Sequence, residues 1–435
     1  MSETPETGRK RLYHGWVVAG ITCLGLIMVF GGRFSLGLFL PFMPEALDAS
    51  ASSVALVFAL SMLAAGIFQP VAGILADRFG SRFVFLMGLA FGGAAFAGVG
   101  ISSHLWQVGL FMSLAGGIAF ACVSPVLATS LMTQWFARQR GRALGVVTSG
   151  GKVAMIVLVP LLTLIIALYG WRAALIALGV AIWAVIPLVW FFVRSSPEEM
   201  GLHPDGDALA APVEIPDSDK ASSAARHSRW SIALAFNTLP FWLLAIVLFG
   251  NGFIMNLVFL HLPSYMLHLG YSQALAAGGL VLLGAVGIAG NMVIGTLSDL
   301  FNRKHVLCLL FAARGLVTLL LIISPNPVTL GIFAIVFGML GYGAIAVIGS
   351  LTAHYFGRAS VGTIMGAAYV LNQIGGASGI YAGGLAVDLT GSYEAALIGA
   401  VVVSFIACVA GSVMPKNSLL MPLMRASGPA AEARR

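Results

Sequence analysis

The sequence predicts an all-α membrane protein of twelve transmembrane helices in two pseudo-symmetric six-helix halves. Three observations predict it: a composition too apolar for a water-facing surface, a series of apolar runs of spanning length, and landmarks that recur along the chain at one offset. Of 435 residues, 59% are hydrophobic and 9% charged, and the mean hydropathy is +0.97. A soluble domain carries roughly a quarter charged residues because its surface must be hydrated. Here lipid must replace water over most of the surface. At about 20 apolar residues per span plus short connections, a chain of this length accommodates about twelve spans.

Taken in order, residues 1–15 form an N-terminal tail whose Arg9-Lys10-Arg11 cluster precedes the first apolar run, 16–40. That run is too long for a signal-peptide core and lacks a small-residue cleavage site, so it is retained as span 1. Hydropathy with Gly, Pro and charge punctuation places spans 2 to 6 near 53–76, 84–101, 105–133, 142–168 and 171–193, which completes a bundle over 16–193. Residues 194–231 are polar, contain Pro and Asp, and lack a period, as a linker does. Spans 7 to 12 follow near 240–264, 273–298, 305–324, 328–354, 361–387 and 393–414, within a second bundle over 232–414. Residues 415–435 form the C-terminal tail.

Nineteen of the 23 Lys and Arg residues fall in segments on the side of the N-terminus and one, Arg172, on the other. By the positive-inside rule both termini and the linker are cytoplasmic, in the cell's inner membrane. The net charge of +7 therefore belongs to topology, and no nucleic-acid partner is expected. The remaining three cations, Arg33, Lys152 and Arg314, lie within spans. Cys23, Cys122, Cys308 and Cys408 lie far apart in apolar stretches, without disulfide-framework or zinc-ligand spacing. With no metal cluster, nucleophile with base, or phosphate loop in the sequence, neither an enzyme nor a cofactor is expected.

The halves repeat. Gly73-Ile-Leu-Ala-Asp77-Arg78-Phe-Gly80-Ser-Arg82 returns as Gly295-Thr-Leu-Ser-Asp299-Leu-Phe-Asn-Arg303-Lys304, an offset of 222. Trp171-Arg172-Ala-Ala-Leu175 returns as Tyr393-Glu394-Ala-Ala-Leu397 and Pro41 as Pro263 at the same offset, while Trp135-Phe136 returns as Tyr355-Phe356 at 220. Two repeated halves that rock against each other are the physical basis of alternating access around a midplane site.

The segment Gly73 to Arg82 resembles the signature loop of the major facilitator superfamily, and the resemblance covers the whole chain. It implies a conformational gate of Asp77, Arg78 and Arg82, with Asp299 in the second copy. In that family the signature Asp meets the positive end of a helix in the opposite half. The second copy departs from the pattern, with Leu300 and Asn302 where the first has Arg78 and Gly80. Within the superfamily, Tyr13-His-Gly-Trp16, Arg33-Phe-Ser-Leu-Gly37-Leu-Phe39, Arg140-Gly-Arg-Ala-Leu-Gly145, Gly170-Trp171-Arg172 and Asp388-Leu-Thr-Gly391-Ser-Tyr393 resemble monocarboxylate porters and oxalate/formate antiporters. That group commonly carries a carboxylate-binding Arg in helix 8, whereas span 8 here has no basic residue.

An ion in the hydrocarbon core costs at least about 2.5–3.5 kcal/mol and calls for a reason. Lys152, in Thr148-Ser-Gly-Gly-Lys152, lies about 15 Å into span 5, close to the midplane. No Asp or Glu lies deep in any predicted span to pair with it. Arg33, flanked by Gly31 and Gly32, lies a few residues above the midplane; a guanidinium fork matches a carboxylate and an ammonium acts as a point charge. Arg314, in a span that is peripheral in this superfamily, is expected to face lipid and snorkel. Asn251, Asn256, His261, Tyr342, Tyr369, Asn372 and Gln373 are the expected polar lining, with Asn251 and Asn372 nearest the midplane.

The expected cargo is therefore a small organic anion, a mono- or dicarboxylate, carried by a monomer in the bilayer. It moves with a proton, taken up at His261 or Lys152, or in exchange for a counter-anion. An efflux pump for amphipathic compounds is the alternative. A membrane enzyme and a ligand-binding receptor fit less well, the first for want of a catalytic constellation and the second because the tails are short.

Overall fold

In the computed structural model, residues 13–206, 232–341, 343–357 and 361–415 are described. The side chains of residues 232, 233, 295, 299 and 361–363 fall outside that description. Among the described residues ten helices are long and apolar enough to cross a membrane. One of them, Arg140–Phe192, is two spans joined at Gly170, whose φ of 83° breaks the helical path. Counting it as two and adding Val361–Thr390 gives the expected twelve.

The first half comprises α1 (His14–Phe34), α2 (Ala51–Phe79), α3 (Ser81–Ile101), α4 (Leu105–Trp135), α5 (140–169) and α6 (171–192). The second comprises α7 (Leu239–His268), α8 (Gln273–Leu300), α9 (Arg303–Ile323), α10 (Pro327–Phe356), α11 (Val361–Thr390) and α12 (Glu394–Val413). Below, the near face is the one carrying residue 13 and the far face is the opposite one.

Local chemistry sets the ends. Ser50 accepts from the Ser53 N–H at 3.2 Å and Ser272 from the Leu275 N–H at 3.3 Å, capping α2 and α8 at equivalent places in the repeat. The turns before them both take positive φ, at Asp48 (49°) and Gly270 (83°), so the 222-residue repeat extends to a backbone conformation that few residues adopt. The α4 helix is interrupted at Val123–Ser124, where Ser124 caps the run that restarts at Pro125.

Packing repeats as well. The pairs α1–α5, α3–α6 and α2–α4 hold the first half, and their counterparts α7–α11, α9–α12 and α8–α10 hold the second. The halves meet along α2–α11 and along the equivalent α8–α5. Glycine permits the closest crossings: Gly252, Gly375 and Gly379 let the backbones of α7 and α11 approach so closely that a Cβ at any of them would strike main-chain atoms of the partner. Exposed apolar side chains such as Ile67, Trp183 and Leu316 cover the outside, where lipid is the solvent.

The first part of the linker region folds back on the first half. The Asp205 carboxylate accepts from the backbone N–H groups of Ala137 (3.0 Å), Arg138 (2.6 Å) and Gln139 (3.4 Å). Tyr13 donates to the carbonyls of Trp135 and His203, both at 3.0 Å.

Candidate functional site

The α1 and α2 helices of the first half and α7 and α11 of the second enclose a small cavity at the seam. It is lined by Arg33, Ser61 and Asn256 among apolar side chains that include Phe34, Phe58, Met62 and Phe259. Arg33 is its only charged lining residue. The guanidinium donates through Nη2 to the Met62 sulfur. It lies 5.6 Å and 5.3 Å from the ring centres of Phe30 and Phe120, and close enough to Tyr369 for the two to interact electrostatically. Ring faces and a thioether stabilise a cation only weakly. The arrangement can therefore accept an anion with a gain in hydrogen bonding.

The far end of the cavity is closed. The rings of Phe34 and Phe259 meet across the halves with centroids 5.0 Å apart, and a Cβ on Gly37 would strike the Leu260 carbonyl oxygen at 2.5 Å. Asp388, in the last turn of α11, accepts from the Ala51 N–H at 3.1 Å and the Ser52 N–H at 2.9 Å, across the start of α2. Toward the near face, nothing lies within 4 Å of the Cβ positions of Gly73 on α2 and Gly366 on α11, each seven residues from the Gly66–Gln373 contact that joins these two helices.

The sequence-predicted residues separate into groups. Arg33 and Asn256 line the cavity and Tyr369 approaches it. Asn256 is half-buried and donates to the Gly252 carbonyl of its own helix at 2.9 Å. Gln373 ties the seam by donating from Nε2 to the Met62 carbonyl at 3.2 Å. Lys152 is buried on α5 where that helix meets α8, its carbonyl oxygen 3.2 Å from the Cβ position of Gly284, and it is not among the cavity's lining residues. Tyr342 lies outside the described residues, as does the side chain of Asp299. Asp77 and Arg78 are exposed, with Arg78 over the Phe79 ring at 5.2 Å. Arg82 bonds the Trp190 carbonyl and stacks on that ring at 5.0 Å within its own half.

Four expectations require correction. Asn251 turns into the second half, where its Oδ1 accepts from Arg314 at 3.1 Å, and so does not line the cavity. Asn372 donates to the Leu248 carbonyl at 2.9 Å, spanning the close α7–α11 crossing rather than facing a ligand. Arg314 is not lipid-facing: it is 0% exposed, donates to Asn251 and to the carbonyls of Leu340 (2.6 Å) and Gly341 (2.5 Å), and lies over the rings of Phe311 and Phe337. The Leu340 and Gly341 carbonyls end the first segment of α10, where helix geometry leaves the last carbonyls available, so they compensate the buried cation. His261 is buried and engages the Ile380 carbonyl at 2.8 Å, with its ring 5.4 Å from that of Tyr393, in a separate pocket within the second half.

Sequence reasoning missed Met62 and Ser61. Ser61 is a polar residue in the otherwise apolar stretch 54–68 and was legible as such. A methionine in a span carries no such signal.

Residues 22–300 and 284–419 match the model of the Major Facilitator Superfamily. The chain is 26% identical over 404 residues to an uncharacterized MFS-type transporter, YcxA, of Bacillus subtilis (strain 168), covering 90% of this chain and 92% of that one. It is 30% identical over 292 residues to monocarboxylate transporter 11 of Homo sapiens, covering 66% of this chain and 56% of that one. Among solved structures, a D-xylose-proton symporter superposes with a TM-score of 0.71 at 14% identity, covering 93% of this chain and 98% of that one, a likeness of fold alone.

Proposed function

The chain belongs to the Major Facilitator Superfamily, and from that premise we propose that it is a secondary active transporter of a small organic anion, a mono- or dicarboxylate, working by alternating access. The observation that carries the proposal is Arg33: a guanidinium held by a thioether and two aromatic faces, in a cavity that both halves build. A carboxylate offers it two strong charge-assisted hydrogen bonds in place of those weak contacts. Asn256, Ser61 and Tyr369 orient the anion. Lys152 is buried on the other seam, between α5 and α8, and is not among the residues lining this cavity. The resemblance to monocarboxylate transporters in sequence supports the same cargo class.

On the reading that the N-terminus is on the cytoplasmic side of the inner membrane, which the charge bias supports, the far face is external and the closed end of the cavity faces outside. Opening there requires the Asp388 contacts and the Phe34–Phe259 contact to separate while the near ends of α2 and α11 close. The coupling is proton symport or anion exchange. The apolar majority of the cavity lining favours a second reading, export of amphipathic compounds, in which cargo charge is immaterial.

The test is uptake of a carboxylate panel by purified protein in liposomes, with and without a pH gradient and with trapped counter-substrate. Uptake of anions that Arg33→Gln abolishes supports the proposal. Transport indifferent to cargo charge and to Arg33→Gln favours the amphipath pump.

A further inference from the structure

We infer that the pocket between α7, α10 and α12 is the coupling site for a proton, which binds Nδ1 of His261 and crosses the membrane with the anion; this rests on the anion-transport reading above and names its coupling ion. His261 is 3% exposed, and its Nε2 lies 2.8 Å from the Ile380 carbonyl oxygen of α11. A carbonyl only accepts, so Nε2 carries the hydrogen and Nδ1 of the neutral ring keeps its lone pair. Nδ1 is buried and has no hydrogen-bond partner among the described residues. The same holds for the hydroxyl of Tyr265, which is 2% exposed, one turn further along α7, and lines the same pocket. Two such polar groups in one apolar pocket, inside a bundle solvated by lipid, call for a ligand.

The surroundings favour a positive ligand. Among the described residues no Lys or Arg lines the pocket, and α10 contributes Phe333. Tyr265 interacts electrostatically with Glu394 of α12 and with Tyr271, and Tyr393, at the start of α12, does so with Asp388 of α11. Two carboxylates are therefore within reach of the phenols that surround the imidazole. The remaining titratable neighbour is His268, at the exposed end of α7. The Tyr393 ring lies 6.3 Å from that of His268 and 5.4 Å from that of His261, and so connects the pocket to the far face, where water delivers the proton. Nδ1 takes it, the neutral imidazole becomes imidazolium, and the Tyr265 oxygen supplies an acceptor in the same pocket for the new N–H.

Position ties this proton to the cargo. The α7 helix separates the two cavities: Leu257, Val258 and His261 line the proton pocket, and Asn256, Phe259 and Leu260 line the anion cavity. Ile380 joins them, because it lines the anion cavity while its carbonyl holds His261. An imidazolium stands across one helix, about 10 Å, from the anion. Little screening intervenes in so apolar a medium. Each charge thus favours the binding of the other, one proton per anion.

The test is transport by the full chain in liposomes holding a pH-sensitive dye, with formate, lactate and succinate as probes and protein-free liposomes as the baseline. For an anion that wild type carries, an imposed inward proton gradient is expected to drive accumulation, and uptake without that gradient to acidify the interior. His261→Gln is expected to lower accumulation and acidification by at least about tenfold, while exchange of internal for external anion falls by no more than about threefold. A role in packing alone would lower all three together. Tyr265→Phe keeps the ring and removes the acceptor, so half-maximal accumulation should move to lower external pH by about one unit. Should His261→Gln fail to fold, that shift decides. If wild type carries none of the three anions, the proposed function and the proton site fall together. If wild type carries an anion without acidification, or His261→Gln keeps both accumulation and acidification, the proton site alone is overturned.

Discussion

Arg314 Nη1 donates to Asn251 Oδ1 at 3.1 Å, a bond between α9 and α7 buried inside the second half. The same guanidinium bonds the carbonyls that end the first segment of α10, at Leu340 and Gly341. Three helices are therefore pinned by one side chain, at a point where a helix break would otherwise leave acceptors unsatisfied in an apolar medium. Arg314→Gln is expected to destabilise the fold, by about 1.5–3 kcal/mol on the scale of charged hydrogen bonds. Thermal unfolding followed by fluorescence-detected size exclusion checks this. A variant as stable as wild type that instead loses anion binding would place Arg314 in the transport site.

That pair also shows where sequence reading ends. The spans and the repeat follow from hydropathy and the 222-residue offset, because burial in lipid imposes a length and duplication imposes a register. Which way a polar side chain turns on an apolar helix follows from neither. Arg314 and Thr318, four residues apart and both buried, mark one face of α9 as inward, but only the partner helices reveal that the face meets Asn251. Asn372 was assigned to the cavity by depth alone, and the glycines that draw α7 onto α11 take it to the Leu248 carbonyl instead. Arg33 was legible because a cation next to Gly31 and Gly32 inside a span is rare. Its acceptor, Met62, was not.

Asp388 and Asp77 lie at opposite ends of one helix pair. Asp388, at the far end of α11, bonds the first N–H groups of α2, and Asp77, at the near end of α2, is exposed. A carboxylate at a helix N-terminus is worth about 0.5–2 kcal/mol, enough to change the balance of two states severalfold. Asp388→Ala is expected to populate a far-face-open state, seen as a longer-distance component between spin labels at Ala46 and Leu389. Asp77→Asn is expected to leave that distance at its wild-type value or shorten its average. An unchanged distribution in Asp388→Ala would show that the contact is incidental to gating.

The linker clasp is expected to be insensitive to pH. Burial, together with the nearby Asp205 carboxylate, pushes the Tyr13 hydroxyl up from 10.0 to about 12. The folded state thus favours the protonated phenol, and its contribution is complete below the ordinary value and lost as pH rises toward the folded one. Tyr13→Phe removes the hydroxyl whose single proton is shared between the Trp135 and His203 carbonyls. Limited proteolysis within the linker region should accelerate severalfold in Tyr13→Phe, by equal factors at about pH 6 and about pH 8. A wild-type cleavage rate that rises between those values would assign the clasp to a different titrating group.

Lys152 and Arg33 are expected to differ in what their loss does. Arg33 contacts the cavity through a planar fork, so Arg33→Lys keeps the charge but loses the bidentate geometry and should reduce uptake strongly. Lys152 lies off the cavity lining, on the α5–α8 seam, so in the proposed mechanism any effect it has on the anion acts through charge over distance and not through contact. Lys152→Arg should therefore retain most anion uptake while Lys152→Ala abolishes it with the protein still folded, as judged by monodispersity. Raising ionic strength should leave the Lys152→Ala defect in place, since a buried charge is screened far less than an exposed one. Full uptake by Lys152→Ala would confine the anion site to Arg33 and the cavity around it.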